Sequence, residues 1–258
     1  MIIITGHTGF IGKNFIKKFK QKNIIYLKRN IKNIENIENK KIKVLNFATK
    51  YIKNHTNKNI KEIINANLVY PINIIETLSK KNNISFFNVC SYFQYENNKK
   101  NRINFYSSSK EALLPFLKYY EIKNKIKIFN IIIYDTFGPS DKRKKIFNEI
   151  IMHAKKNKTL VIKEKNYYMA PIYIDDLIDL LIRYIKDKKR PKEIHCHQQK
   201  IISVKSICAV VKKLYPDLNI KYKKNNRIRK IYIKNNSFYW KPKFSLNERL
   251  QYFFTHNV

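Results

Sequence analysis

Glycine is nearly absent from this chain, with four in 258 residues. Each one therefore asks for a reason, because glycine is the default wherever backbone must turn tightly or be approached closely. Three of the four, Gly6, Gly9 and Gly12, fall at three-residue intervals in the opening stretch IIITGHTGFIG. Cysteine is scarcer still. Cys90, Cys196 and Cys208 are odd in number and lack metal-ligand pairing, which argues against a disulfide framework and for a reducing compartment. The run His195-Cys196-His197 sends its side chains alternately across a strand, and no second cluster completes a site, so no metal is expected. Acidic residues are the next shortage: 18 Asp and Glu stand against 54 Lys and Arg, a formal net charge of +36. Such a surplus can mark a nucleic-acid partner, because basic side chains release counterions from a phosphate backbone. Here the lysines are spread through the whole chain among Asn and Ile, with no arginine-rich tract. We read them as a solvated background that would still draw an anionic substrate, and expect no nucleic-acid partner. No apolar run approaches the length of a membrane span, and MIIITGHTGF has neither a basic n-region nor a long h-region. The expectation is a cytoplasmic protein with no membrane partner.

What is present is periodic. A hydrophobic share of 44% says globular, and the length fits one large domain or two small intertwined ones. Apolar runs at Met1–Thr5, Asn23–Arg29, Ile42–Ala48, Ile84–Ser91 and Ile126–Tyr134 read as strands. Helical spacing occupies Phe10–Lys22, Ile60–Lys80 and Ser107–Tyr120. Strict alternation of the two predicts an α/β fold with a parallel sheet covered on both faces. After Pro139 the pattern loosens into a basic stretch, an amphipathic segment at Ile146–Lys156, a strand entering a helix in YMAPIYIDDLIDLLIRYI, a strand at EIHCH and a helix at Ser203–Leu214. We expect a core over 1–138 with a return at 171–197, and a smaller substrate-binding region over 139–170 and 198–258.

A strand, then Gly6-His7-Thr8-Gly9-Phe10-Ile11-Gly12, then a helix is the context in which glycines cradle a dinucleotide. The first permits a tight turn, the second lets a pyrophosphate approach, and the third lets helix and strand pack closely, with free N–H groups at the helix start. Gly6, Thr8, Gly9, Phe10, Ile11 and Gly12 are accordingly candidate cofactor residues. An acidic side chain at the end of the second strand would bind the adenosine ribose diol. Lys28 and Arg29 stand there instead, and a cation suits a 2′-phosphate, so NADPH is preferred over NADH. Further on, YSSSK sets Tyr106 and Lys110 four residues apart on one helical face. A nearby ammonium would lower the phenol's pKa, fitting it for proton exchange with a sugar hydroxyl or carbonyl.

Together these motifs resemble the extended short-chain dehydrogenase/reductase family, also called the NAD-dependent epimerase/dehydratase group, over nearly the whole chain. The resemblance implies a Rossmann-type doubly wound sheet with a smaller intertwined C-terminal region. It implies that Lys110 also holds the nicotinamide ribose, and that Ser91, at a strand end four residues before Tyr95, donates to the substrate oxygen alongside Tyr106. Phe47, Ala48 and Thr49 of NFAT look like the segment lining the cofactor after the family's fourth strand. Asn67 stands where the family has its helix asparagine, and FGP at Phe137–Pro139 is similar to the family's YGP. Tyr92, Asp135 and Arg143 are candidate substrate contacts. Departures are Asp135 in place of an asparagine, Pro115 inside a helix, and a very short stretch after the second strand with room for one strand fewer.

The residues after the catalytic hydroxyl sort the subfamilies. Dehydratases carry an Asp-Glu pair there, where this chain has Tyr92 and Phe93. The fucose-synthase type has a cysteine at the position of Phe93, and Cys90 lies on the wrong side of Ser91. What remains looks most like the CDP-abequose/CDP-paratose synthase group. That likeness implies NADPH-dependent reduction of a nucleotide-linked 4-keto-6-deoxyhexose for surface polysaccharide, with Lys142, Arg143, Lys144 and Lys145 near the substrate pyrophosphate. A 4-epimerase retaining its NAD and a non-catalytic NADPH-sensing regulator stay open as alternatives. The family also commonly forms homodimers through the helices after Asn67 and Tyr106, where LLPFLKYY offers an apolar face.

Overall fold

The computed structural model describes residues 1–38, 41–95, 104–143, 145–224, 228, 231, 233–234 and 239–257. Met1–Ile133 with Tyr184–Ile194 form one compact unit, and Tyr134–Arg183 with His195–Val258 form a second.

The first unit begins with β1 (Ile2–Thr5), α1 (Phe10–Lys18), β2 (Ile24–Leu27), β3 (Ile42–Asn46), α2 (Asn57–Ile64) and α3 (Tyr70–Leu78). It continues through β4 (Ile84–Ser91), α4 (Phe105–Lys123) and β5 (Lys127–Ile133). The second carries β6 (Thr136–Phe137), α5 (Ile146–Lys155), β7 (Leu160–Ile162), β8 (Tyr168–Met169), β9 (Ile172–Tyr173) and α6, which starts at Ile174 and ends at Lys186. After β10 (Glu193–Cys196) come β11 (Ile202–Ser203), α7 (Val204–Leu214), β12 (Ile220–Tyr222) and α8 (Leu246–Asn257).

Six strands form one sheet in the order β10-β5-β4-β3-β1-β2, and the registered pairs among β1 to β5 are all parallel. A parallel sheet buried on both faces needs near-continuous apolar strands. Ile2–Thr5 of β1 is buried throughout, and Ile84–Phe87 opens β4 in the same way. One face packs Ile3, Val44, Phe86 and Ile128 with Ile74, Ile75 and Leu78 of α3 and Leu113, Leu117 and Tyr120 of α4. Such side chains are worth about 1.5–3 kcal/mol each when fully buried. In register, Thr5, Asn46 and Asn88 stand side by side, so β1 and β3 end together while β4 runs on to Ser91 alongside β5.

The helical pattern expected over Ile60–Lys80 is continuous helical backbone, with a π-helical turn at Asn65–Val69 set between α2 and α3. Pro71 has no N–H for the carbonyl of Asn67 and its ring crowds that carbonyl, so the ladder widens and Tyr70 N–H donates to Asn65 O. Alternation breaks between β2 and β3. The described residues there hold only a 3-10 turn, Lys32–Ile34, whose Ile34 enters the core, and β2 is left as a sheet edge. Pro115, by contrast, sits within α4 without ending it. No described helix is long and apolar enough to cross a membrane.

Candidate active site

The glycine turn is built by contact rather than by propensity. Gly6 has φ +63°, a left-handed conformation that L side chains rarely adopt, and a Cβ there would stand 2.4 Å from Ala48 N. A Cβ on Gly12 would stand 2.2 Å from Gly6 O. The turn is thus pressed against the segment Phe47–Ala48 on one side and against its own helix on the other. Gly9 ends the turn, its N–H bonded to Gly6 O at 3.0 Å, and both Thr8 and Gly9 are exposed. No side chain caps the start of α1 and its first turn holds no acidic residue. Free N–H groups at an uncapped helix start attract phosphate, so the cradle fits a dinucleotide pyrophosphate. Phe10 and Ile11 open α1 at half-buried positions, and Phe47 packs on Phe15 at 5.2 Å.

Next to this cradle lies a hydrogen-bonded set of acid–base side chains. Tyr106 and Lys110 occupy one buried face of α4, whose N-terminus is closed by a capping box between Asn104 and Ser107. The Tyr106 phenol lies near the side chains of Thr49 and Ser91, both of which favour its ionised form. Thr49 is anchored in turn, donating to Asn67 Oδ1 at 2.9 Å, while Asn67 Nδ2 donates to Ser109 Oγ at 2.8 Å. Asn67 also accepts from Lys50 N–H, so the π turn holds both the cofactor-side segment and α4. Ser91 Oγ accepts from Phe93 N–H at 3.3 Å. Tyr51 places its ring edge-on to Tyr106 at 5.0 Å and against Phe93 at 6.2 Å. No sequence signal marked Tyr51, an exposed loop tyrosine in a lysine-rich stretch.

The electrostatics correct one expectation. Burial pushes the Tyr106 phenol up to about 12, against the opposing pull of Thr49 and Ser91. Lys110 does not lower it, because its ammonium is directed at the Val89 carbonyl, 3.0 Å away. Lys110 is itself 1% exposed and burial brings it down to about 8. At neutral pH the pair is a neutral phenol beside a buried ammonium. The arrangement can give a proton to an oxygen placed near Ser91 and Tyr106.

Of the remaining candidates, Tyr92 is buried and packs on Phe93 at 4.4 Å. Arg29 is exposed two residues beyond β2. That turn is pinned by Tyr70, whose hydroxyl donates to the carbonyl of Lys28. Asp135 and Arg143 belong to the second unit. Asp135 is 7% exposed, its Oδ2 has no hydrogen-bond partner among the described residues, and its Oδ1 lies 3.9 Å from Lys145 Nζ. Arg143 grips Asp141 through Nε and Nη2, each at 2.7 Å, and Lys142 is exposed. Lys144 lies outside the described residues. In the His-Cys-His run, His195 Nδ1 meets the Tyr134 hydroxyl at 3.0 Å. His197, brought down to about 4 by burial, meets the Lys234 carbonyl at 2.8 Å. The three cysteines are free and buried.

An open parallel sheet whose first strand feeds a glycine cradle, with polar side chains gathered at the strand ends, defines a Rossmann-type dinucleotide-binding protein. Its sequence is matched over residues 2–196 by the model of the NAD dependent epimerase/dehydratase family, and the chain belongs to that family. It is an NAD(P)-dependent enzyme of the short-chain dehydrogenase/reductase type. Among curated proteins it is similar to a CDP-abequose synthase of Yersinia pseudotuberculosis, 29% identical over 54% of this chain and 49% of that one. It is 24% identical to a CDP-abequose synthase of Salmonella muenchen over 82% of this chain and 80% of that protein. The first of these matches thus spans about half the length of the relative. Two solved structures show the same fold at low identity. UDP-glucuronic acid 4-epimerase from Bacillus cereus has a TM-score of 0.82 and 14% identity, covering 99% of this chain and 98% of its own. RMD from Pseudomonas aeruginosa, complexed with NADPH, has a TM-score of 0.78 and 13% identity, covering 98% and 97%.

Proposed function

We propose that the protein reduces the 4-keto group of a nucleotide-linked 4-keto-6-deoxyhexose with NADPH, in the making of a surface-polysaccharide sugar. The protonated phenol of Tyr106 carries this reading. A ketone gaining hydride at C4 needs a proton at its oxygen, and a phenol near 12 is a donor at neutral pH. Tyr92 and Phe93, next to Ser91, have no carboxylate with which to eliminate water. The names of the curated relatives, CDP-abequose synthase, support the same substrate class.

Bound at the cradle, a dihydronicotinamide supplies the hydride. The chain's part is to present acid and donors. Ser91 and Tyr106 hold the carbonyl oxygen, Tyr106 gives it a proton, and solvent returns that proton to the phenolate. Lys110 orients the cofactor ribose. Tyr92 is a proposed substrate contact on the first unit; on the second, Asp135, whose Oδ2 is available to a hydroxyl donor, and Arg143 are proposed contacts in their own right. Phe116, Tyr119 and Ile122, exposed along α4 at three-residue spacing, support a homodimer.

The test is loss of NADPH absorbance with CDP- or dTDP-4-keto-6-deoxyglucose generated in situ. Turnover with a single reduced product is expected. A protein purified with tightly held NAD and inert in that assay would overturn the reading in favour of an epimerase.

NADPH is the proposed cofactor because Arg29 is free of a neighbouring carboxylate at the end of β2 in sequence and lies exposed. Arg29→Asp is expected to invert the ratio of NADPH to NADH dissociation constants, read by quenching of intrinsic fluorescence. An unchanged ratio would place the 2′-phosphate reader elsewhere.

A further inference from the structure

The turn after β4 contains a buried amide that the chemistry above does not use. Gln94 is 1% exposed and ends the 3-10 turn Tyr92–Gln94. Both ends of its amide are committed. Oε1 accepts from the Ser91 backbone N–H at 3.0 Å, and Nε2 donates to Glu111 Oε2 at 2.5 Å. Glu111 follows Lys110 directly on α4. One side chain therefore ties the strand end carrying Ser91 to the helix carrying Tyr106 and Lys110.

Its orientation is fixed by its partners. A backbone N–H must meet the amide oxygen and a carboxylate must meet the amide nitrogen, so the group cannot flip without losing both bonds. Burying an amide is costly unless it is fully paired. The tie is thus a stiff constraint on where Ser91 sits. Ser91 Oγ itself accepts from Phe93 N–H at 3.3 Å.

We propose that Gln94 and Glu111 are positioning residues that hold Ser91 within hydrogen-bonding reach of the Tyr106 phenol; what they contribute to turnover rests on the reductase reading. Ser91 is one of the two side chains that pull the phenol down against burial. Loosening it weakens proton delivery more than binding, so the effect falls on kcat and leaves KM alone.

The experiment compares Gln94→Leu, Glu111→Leu and the conservative Glu111→Gln, which keeps an oxygen for Gln94 Nε2. Each is measured for kcat, KM, thermal midpoint and exchange of the Ser91 amide by NMR. Both leucine variants are expected to lose roughly 10–100-fold in kcat, the scale of a misplacement near 1 Å, at unchanged KM and with faster Ser91 exchange. Glu111→Gln should recover most of the loss. Equal loss in Glu111→Gln and Glu111→Leu, or folded leucine variants with unaltered kcat and exchange, would overturn the proposal. If Gln94→Leu does not fold, the Glu111 pair decides. Should the wild type reduce none of the sugar nucleotides supplied, the reductase reading falls and Ser91 exchange alone decides the tie.

Discussion

Tyr106→Phe is expected to lower kcat for NADPH-dependent reduction by about 10²- to 10⁴-fold, the contribution of a positioned general acid. NADPH affinity should stay within a factor of about 2, because the substitution removes one oxygen that touches Thr49 and Ser91 and leaves the glycine cradle intact. The ring keeps its edge-on contact with Tyr51, so the fold is expected to hold. The pH dependence separates this residue from its neighbour. A phenol at about 12 stays protonated through the whole neutral and alkaline range, whereas Lys110 at about 8 loses its charge there. The alkaline fall of kcat in the wild type is therefore expected near 8 and belongs to the ammonium. A fall beginning only near 12, with none near 8, would remove Lys110 from the reaction. An unaltered kcat in Tyr106→Phe would remove the phenol from it.

The chemistry was legible where side-chain type and spacing carry it. Met1–Thr5 followed by the three glycines marks a cradle because glycine has a steric meaning, and Gly6 and Gly12 turn out to be the two positions where a Cβ would collide with backbone. The strand expected at Ile84–Ser91 matches β4 residue for residue, because its Ile, Phe, Val and Cys outweigh the interrupting Ser85 and Asn88. Where the reading fell short, the deciding contact was long-range or depended on depth. Pro71 follows a helix already formed, and the result is the π turn carrying Asn67. The two-residue strands β6 and β11 exist by pairing partners, and two residues have no period to detect. The protonation of Tyr106 depends on how far α4 sinks its face beneath neighbouring side chains. Spacing gives the pair and depth gives its charge.

That same depth makes Lys110 costly to the fold, which leads to the second large effect. With its pKa brought from 10.5 to about 8, Lys110 binds its proton less tightly in the folded chain than in the unfolded one. Between those values the unfolded state holds more protons, so stability rises with pH across about 8 to 10.5. Below 8 the full penalty applies, on the order of 3 kcal/mol at 1.36 kcal/mol per unit. Lys110→Met removes the buried charge at similar volume. It forfeits the bond to the Val89 carbonyl, worth about 1 kcal/mol. At neutral pH the variant is expected to melt several degrees above the wild type, at roughly 2–4 °C per kcal/mol for a chain of this size. It should have lost nearly all turnover. Near pH 10 the gap should close, because the wild-type lysine is then neutral in the folded state and has little left to lose. A variant less stable than the wild type at both pH values would mean that the ammonium's bond to Val89 outweighs its burial. A more stable but inactive one would show that this site keeps its cation at the expense of the fold.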